Sequence, residues 1–88
     1  MAIDHKYGRV TLEHGSIGED EQVIVFRARD RLLPMLLEIY VILCQIAGST
    51  ERHIRLIKES AVKILAWQKA HPDELRTPNS ETSQTWMN

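Results

Sequence analysis

The sequence predicts a mainly α-helical fold: an antiparallel helical hairpin preceded by a short β-strand or β-hairpin and assembled as a homo-oligomer. Three observations carry this prediction. Residues 32–47 form a nearly continuous apolar run, residues 50–71 are apolar along one helical face, and only two residues separate the runs, Gly48 and Ser49. So tight a junction favours two helices that lie side by side in opposite directions.

The strand region is predicted over residues 9–29. Apolar and polar side chains alternate in residues 9–13, as in a half-buried edge strand. Residues 22–29 begin with β-branched and aromatic side chains and predict a second strand. Alternation along it places Ile24 and Phe26 with Ala28 on the face that should meet the helices, and leaves the arginines on the other face.

Helix 1 is predicted over about residues 30–47. Asp30 can cap the free backbone N–H groups of the first turn, where Pro34 is also tolerated. If the helix starts at Pro34 instead, Leu33 becomes the cap and Asp30 ends the strand. Gly48 can end the helix because glycine readily takes the left-handed conformation.

Helix 2 is predicted over about residues 50–71. Ser49 is placed to cap its first turn, and Pro72 is placed to end it. Together with the strand region and helix 1 it completes a single small domain, residues 1–71. One apolar stripe runs along helix 2, so we expect one buried face and a solvated remainder.

Residues 72–88 are predicted to form a loosely ordered tail. They are rich in Thr, Ser, Asn and Pro and have no apolar period. Trp86 and Met87 are the exception, because an apolar pair is unfavourable in water. Docking of this pair on a neighbouring subunit is one interpretation, and an incidental unstructured terminus is the favoured one.

Helix 1 is apolar in almost every direction, which predicts self-association. After Pro34 its polar side chains are Glu38 and Gln45, which are seven residues apart and share one narrow stripe. A single second helix can cover only one side, and another copy of the chain is the expected cover for the rest. The predicted oligomer interface consists of apolar residues of helix 1: Leu36, Ile39, Tyr40, Leu43 and Ile46.

Composition favours a cytoplasmic protein without nucleic-acid or membrane partners. The formal net charge of -1 disfavours a dedicated nucleic-acid binder. The apolar run is shorter than the roughly 20 residues of a membrane span, and the N-terminus lacks the apolar region of a signal peptide. A lone Cys44 inside the apolar run fits a small buried hydrophobe in a reducing compartment.

No pattern in the sequence predicts an enzyme, a metal site or a cofactor. The four histidines are scattered and lack the close ligand spacing of structural zinc sites. The sequence also has no serine elbow, no glycine-rich phosphate cradle and no cysteine–histidine arrangement. We therefore predict a non-enzymatic binding protein.

Alternating arginines provide the candidate ligand site. Guanidinium groups at this spacing can hold a phosphate or carboxylate through paired hydrogen bonds, and a tryptophan on helix 2 can stack on a ligand ring. The alternatives are a solvated or acid-paired face for the arginines and a core position for the tryptophan. The candidate residues for a small anionic ligand are Arg27, Arg29, Arg31, Arg55 and Trp67.

Residues 19–30, followed some 36 residues later by Ala66-Trp67-Gln68, resemble a set of short bacteriophage proteins that have no assigned function. The shared features are an acidic loop, a strand ending Arg-Ala-x-Asp, and a helical hairpin that ends with the motif Ala-Trp-Gln. The chain departs from the set at Gln22, where proline is usual, and at Arg29, where glutamine is usual. The resemblance covers about residues 19–70.

In architecture alone, the chain is also similar to phage sponge proteins that sequester nucleotide immune signals between subunits. This resemblance implies capture of a nucleotide-like anion at a homo-oligomer interface, in evasion of defence in the host cytoplasm. The alternative is a protein–protein inhibitor or adaptor that docks a host protein through the apolar face of helix 1. A phage structural or assembly protein is a third interpretation.

Overall fold

The computed structural model describes residues 2–78. Three short strands precede two helices that pack against each other, so the predicted helical hairpin and the β region before it are both present. In chain order the elements are β1 (Ala2–Asp4), β2 (Gly8–Val10), β3 (Gln22–Val23), α1 (Leu33–Ala47), α2 (Glu51–Ala70) and a 3-10 turn (Pro72–Glu74).

The sheet has the order β2-β1-β3, with β1 in the centre. Strand β1 pairs antiparallel with β2 and parallel with β3. Gly8 enters β2 with a φ of 83°, a left-handed conformation that glycine adopts without steric cost. The prediction missed β1 and extended both later strands too far. Parallel β3 stops at Val23, opposite Asp4, where β1 ends, and antiparallel β2 stops at Val10, opposite Ala2.

The carboxylate of Asp4 holds the sheet region together. Its Oδ1 accepts hydrogen bonds from the backbone N–H groups of Lys6 and Tyr7, each at 2.8 Å, and its Oδ2 accepts one from Val25 N–H at 2.7 Å. Burial raises the pKa of Asp4, and the donors from Tyr7, Val25 and Lys6 lower it by more, so the pKa lies below its usual value. The β1–β2 turn and the segment after β3 thus share one acceptor.

Helix α1 begins at Leu33, so the predicted start at Asp30 is wrong. Leu32 occupies the cap position without a side-chain hydrogen bond, while Pro34 lies in the first turn as expected. The carboxylate of Asp30 instead accepts from Leu32 N–H at 2.8 Å. Its carboxylate is therefore used in the turn that precedes the helix.

The turn between the helices follows the prediction in part. Gly48 ends α1 with a φ of 80°, as expected, but Thr50 rather than Ser49 caps α2 by accepting from His53 N–H at 3.2 Å. Ser49 N–H donates to the carbonyl of Cys44 at 2.9 Å. Ser49 therefore still belongs to the end of α1, and the cap of α2 shifts by one residue.

Gln68 joins the far end of α2 to the loop before α1. Its Nε2 donates to the carbonyl oxygens of Ala28 and Asp30, both at 2.9 Å. One amide group therefore satisfies two backbone acceptors more than thirty residues away in sequence. This contact aligns the open end of the helical hairpin.

The first part of the predicted loose tail is bound to the same loop. Arg76 N–H donates to the carbonyl of Arg29, and Arg31 N–H donates to the carbonyl of Arg76, both at 2.9 Å. These paired backbone groups order the chain after α2, so the prediction was wrong for this part. The rest of the tail, with Trp86 and Met87, lies outside the described residues.

The core is small. Within residues 2–78 the buried apolar side chains are those of Ala2, Leu33 and Cys44, whereas seventeen large apolar side chains are exposed. Ile24 and Phe26 were expected to meet the helices, yet they are 61% and 49% exposed. Because the segment leaves the sheet after Val23, strand alternation no longer decides which side chains face inward. No helix among the described residues has both the length and the hydropathy of a bilayer span.

Replacing Asp4 by asparagine should lower the melting temperature at neutral pH, because the charge that three N–H groups stabilise is lost. The pKa of Asp4 is depressed in the folded chain. The stabilisation is therefore fully present above the ordinary pKa of about 3.9 and is lost as the pH falls through the folded value. Thermal unfolding followed by circular dichroism at a series of pH values measures this.

Asp20→Asn makes the same chemical change on an exposed turn and is the matched control for Asp4→Asn. It should leave the melting temperature unchanged at every pH. A gap between wild type and Asp4→Asn that stays constant from neutral pH to below about pH 3 would contradict the prediction.

Gln68→Met keeps the length of the side chain but removes the donor to Ala28 and Asp30. We expect a loss of about 1–3 kcal/mol in the free energy of unfolding, because two partly buried carbonyls lose their partner. Urea unfolding measures this loss. Lys69→Met, on the exposed neighbouring residue, is the control, and equal stability of the two variants would refute the role of Gln68.

Candidate functional site

A pocket of about 140 Å³ lies between the β1–β2 turn, the segment after β3 and the chain that returns after α2. Its walls come from three parts of the sequence that the Asp4 and Arg76 hydrogen bonds bring together. We call it the basic pocket. The basic side chains that line it are His5, Lys6, Arg27, Arg29 and Arg76.

The charge of the basic pocket is strongly positive. Asp30 is the one carboxylate among its lining residues, and one of its oxygens already accepts from the backbone. A concave site lined by one sign of charge concentrates ions of the opposite sign. The other permanently charged residues of the lining are Lys6, Arg27, Arg29 and Arg76.

Arg29 has an unsatisfied donor at the basic pocket. Its Nε is buried and has no hydrogen-bond partner among the described residues. Leaving a buried donor unpaired costs about 1–3 kcal/mol, so native structures seldom retain one without a compensating role. Because water does not reach this Nε, an anion can accept from it only if the Arg29 side chain shifts, and the guanidinium group would then offer the paired geometry that arginine favours.

Two aromatic rings border the same pocket. The Lys6 Nζ and the guanidinium carbon of Arg27 each lie 5.9 Å from the centre of the Tyr7 ring, which is within cation–π range. Tyr7 and Phe26 both remain about half exposed. Their free surface can meet an apolar or planar part of a ligand whose anionic group lies deeper.

The structure does not bring all five predicted ligand residues together. Arg27 and Arg29 line the basic pocket, but Arg31 lies on the groove between the helices. The chain turns at the hydrogen bond from Asp30 N–H to the carbonyl of Arg27, and this turn ends the strand alternation that placed Arg31 with the other two. The predicted row of three arginines is therefore reduced to two.

Helix α2 contributes no lining residue to the basic pocket among the described part of the chain. Arg55 pairs with Glu59 at 3.8 Å on an exposed face. Trp67 stacks on His71 with the ring centres 4.2 Å apart and the planes 19° from parallel. The structure thus gives Arg55 and Trp67 partners within α2 and its end, and neither residue lines the basic pocket.

Sequence reasoning missed the residues that complete the pocket. Arg76 was assigned to a loose tail, and Lys6 and Tyr7 lie before the predicted strand region. Asp4 followed by Gly8 was a usable signal, because aspartate and glycine at this spacing favour a turn between strands. Nothing in the sequence indicated that Arg76 returns to Arg29, since that contact is made by backbone groups.

The apolar residues predicted as the oligomer interface are not covered by the described chain. Leu36, Ile39, Tyr40, Leu43 and Ile46 are all exposed, and Ile46 is 79% exposed. Ile39 and Ile46 lie on the side of α1 away from buried Leu33 and Cys44, whereas Tyr40 borders the buried side. The structure thus leaves this surface open.

Tyr40 has partners within its own chain. Its hydroxyl lies 3.5 Å from His53 Nε2, and the two rings meet edge to face with centres 6.1 Å apart. The neighbouring Cys44 side chain, first through hydrogen bonding and then through the charge of its thiolate form, raises the pKa of Tyr40, and partial burial raises it further. These contacts hold Tyr40 toward α2 at one border of the apolar surface.

Residues 2–78 contain no cluster of three histidine, cysteine or acidic side chains that could hold a metal ion. No family model matches the chain, and no curated protein and no solved structure matches it. The resemblance to short bacteriophage proteins therefore stays a prediction. The basic pocket and the exposed surface of α1 are the features on which a function can be argued.

Proposed function

We propose that this chain is a non-enzymatic binding module that captures a small anionic, nucleotide-like ligand in the basic pocket and assembles with copies of itself through α1. The observation that carries the proposal is one small pocket whose permanent charges are mostly positive, from Lys6, Arg27, Arg29 and Arg76 against the single carboxylate of Asp30. The Nε of Arg29 is buried and has no partner among the described residues, so the hydrogen bonds of this side chain are not all made. An anion in the pocket would balance the charge and accept from the guanidinium groups that line it.

The size of the pocket limits which part of a ligand it can enclose. A volume of about 140 Å³ is well below the 300–1,000 Å³ of typical pockets for small molecules. It suits a phosphate or carboxylate group, with the remainder of the ligand outside against the exposed rings of Tyr7 and Phe26. A nucleoside monophosphate fits this arrangement, because its phosphate can enter the pocket while its planar base lies outside against the two rings.

Self-association is the second part of the proposal. Burying large apolar side chains stabilises proteins by about 25 cal/mol per Å², and the described chain leaves most of those on α1 in water. A second copy supplies the cover that one other helix cannot. The part of a ligand that projects from the basic pocket could then contact a neighbouring subunit.

The biological setting we propose, a phage-encoded protein that sequesters a host nucleotide signal, rests on the resemblance of residues 19–70 and on the hairpin architecture. The basic pocket supports anion capture in general and does not select this setting. A protein of this kind would act by binding its ligand tightly and would need no catalytic group.

Arg27→Gln combined with Arg29→Gln should weaken binding of adenosine monophosphate by tenfold or more. Hydrogen bonds to charged groups contribute about 1.5–3 kcal/mol, and about 1.4 kcal/mol corresponds to a factor of ten. Isothermal titration calorimetry measures the affinity, and inorganic phosphate serves as a second probe of the anionic group alone.

Arg52→Gln combined with Arg55→Gln is the matched control, because it removes the same two positive charges from exposed positions outside the basic pocket, one of them the predicted site residue Arg55. It should bind adenosine monophosphate as the wild type does. Equal losses in both variants would show a nonspecific charge effect, and unchanged binding in the double variant would refute capture in the basic pocket.

The alternative function is docking of a host protein through the apolar face of α1, which the exposure of Leu43 and Ile46 also favours. Native mass spectrometry of gently purified protein separates the two. Anion capture by an oligomer predicts a self-associated species that carries added mass at each pocket. A bare monomer would favour the alternative.

A further inference from the structure

A groove runs between α1 and α2 on a different part of the molecule from the basic pocket. It has a volume of about 750 Å³, and its rims carry Met35 and Ile42 from α1 and Val62 and Leu65 from α2. All four side chains are at least half exposed, with Val62 at 67%. The groove is therefore an apolar trough, open along the helical hairpin, that the described chain leaves uncovered.

Helix α1 also carries a ridge of matching character. Met35, Ile39, Ile42 and Ile46 follow one another at i, i+4, i+7 and i+11, the spacing of a single helical stripe. Each is more than half exposed. Side-chain rows at this spacing pack between the corresponding rows of a facing helix. Ile39 and Ile46 belong to the predicted oligomer interface, and Met35 and Ile42 connect them to the groove.

We propose that the groove is filled by a second copy of this chain, so that the α1 ridge of each copy lies in the groove of the other around a two-fold axis. The inference rests on the self-association part of the proposed function and specifies the surface that performs it. Such an interface uses the same patch on both copies, so it must be complementary to itself. The charges on the two walls of the groove meet this requirement.

Glu38 lies on the α1 wall of the groove and Lys58 lies on the α2 wall. The ion pair found in the described part of the chain is Arg55–Glu59, so neither wall charge has a partner there. In the two-fold arrangement Glu38 of each copy faces Lys58 of the other. Two equivalent ion pairs of opposite charge then flank the apolar contact and set its register.

The helical hairpin determines whether these charges can meet. Gln68 Nε2 donates to the carbonyl of Asp30 at 2.9 Å, so these two residues lie at one level. The same match follows from the turn: seven residues back from Ala47 and seven forward from Glu51, about 10 Å along each helix, Tyr40 near the midpoint of α1 is level with Lys58. When two antiparallel α1 helices cross at their midpoints, Glu38 of one copy lies within about 3 Å, along the axis, of the level of Lys58 of the other.

Charge reversal tests this arrangement. Glu38→Lys and Lys58→Glu should each weaken self-association by at least tenfold in analytical ultracentrifugation, because like charges then face each other at both contacts. An equimolar mixture of the two variants should recover the dimer. One chain then carries two basic groups and the other two acidic groups, so each contact joins opposite charges. Native mass spectrometry with one variant isotopically labelled identifies the mixed species.

Glu13→Lys and Lys63→Glu make the same changes of charge at exposed positions outside the groove and are the matched controls. Each should self-associate as the wild type does. Circular dichroism checks that all variants keep their helical content. The inference is overturned if either groove variant associates like the wild type, or if the equimolar mixture of groove variants stays monomeric.

Binding of adenosine monophosphate, measured on the same groove variants, separates this inference from the proposed anion capture. The basic pocket has no lining residue in common with the groove among the described residues. If charge reversal leaves self-association intact while the anion still binds, the groove interface fails and capture stands. If each charge reversal weakens the dimer, their mixture restores it and no variant binds the anion, the groove interface is supported and capture is refuted.

Discussion

The carboxylate of Asp4 is the contact on which the rest of the sheet region depends. It accepts from the turn that leads into β2 and from Val25, which begins the segment that carries the pocket arginines. No other polar side chain is buried in the part of the chain that the structure describes. The strands are only two or three residues long, so this shared acceptor supplies a tertiary link that the short β-ladders cannot.

Together with the Asp4 hydrogen bonds, contacts between segments that are distant in sequence form the basic pocket. Val25 positions the approach to Arg27, Gln68 holds the carbonyls of Ala28 and Asp30, and the backbone of Arg76 closes the loop from the other side. The cationic side chains thereby line one pocket in spite of their repulsion. An arrangement of this kind is favourable when an anion occupies it, which is the physical basis of the proposed capture.

The helical hairpin differs from the basic pocket in that its unsatisfied surface is apolar: many of its large apolar side chains are exposed. Its two helices bury little between them beyond Leu33 and Cys44, and the exposed side chains of α1 continue into the groove. A chain of this size gains modest stability from its own core. If copies pair through the groove, stability and assembly become linked, and the melting temperature rises with protein concentration.

The sequence by itself determined the helical hairpin, since helix periodicity and Gly48 act locally over a few residues. It also placed Arg27 and Arg29 together as candidate ligand residues. It further indicated that α1 carries more apolar side chains than one other helix can cover. Only the tertiary structure decided where strand pairing ends after Val23, that Arg31, Arg55 and Trp67 lie apart from the pocket, and that Arg76 completes the pocket. Those outcomes depend on hydrogen bonds between segments far apart in the chain, such as Asp4 to Val25 and Arg76 to Arg29, which no local pattern encodes.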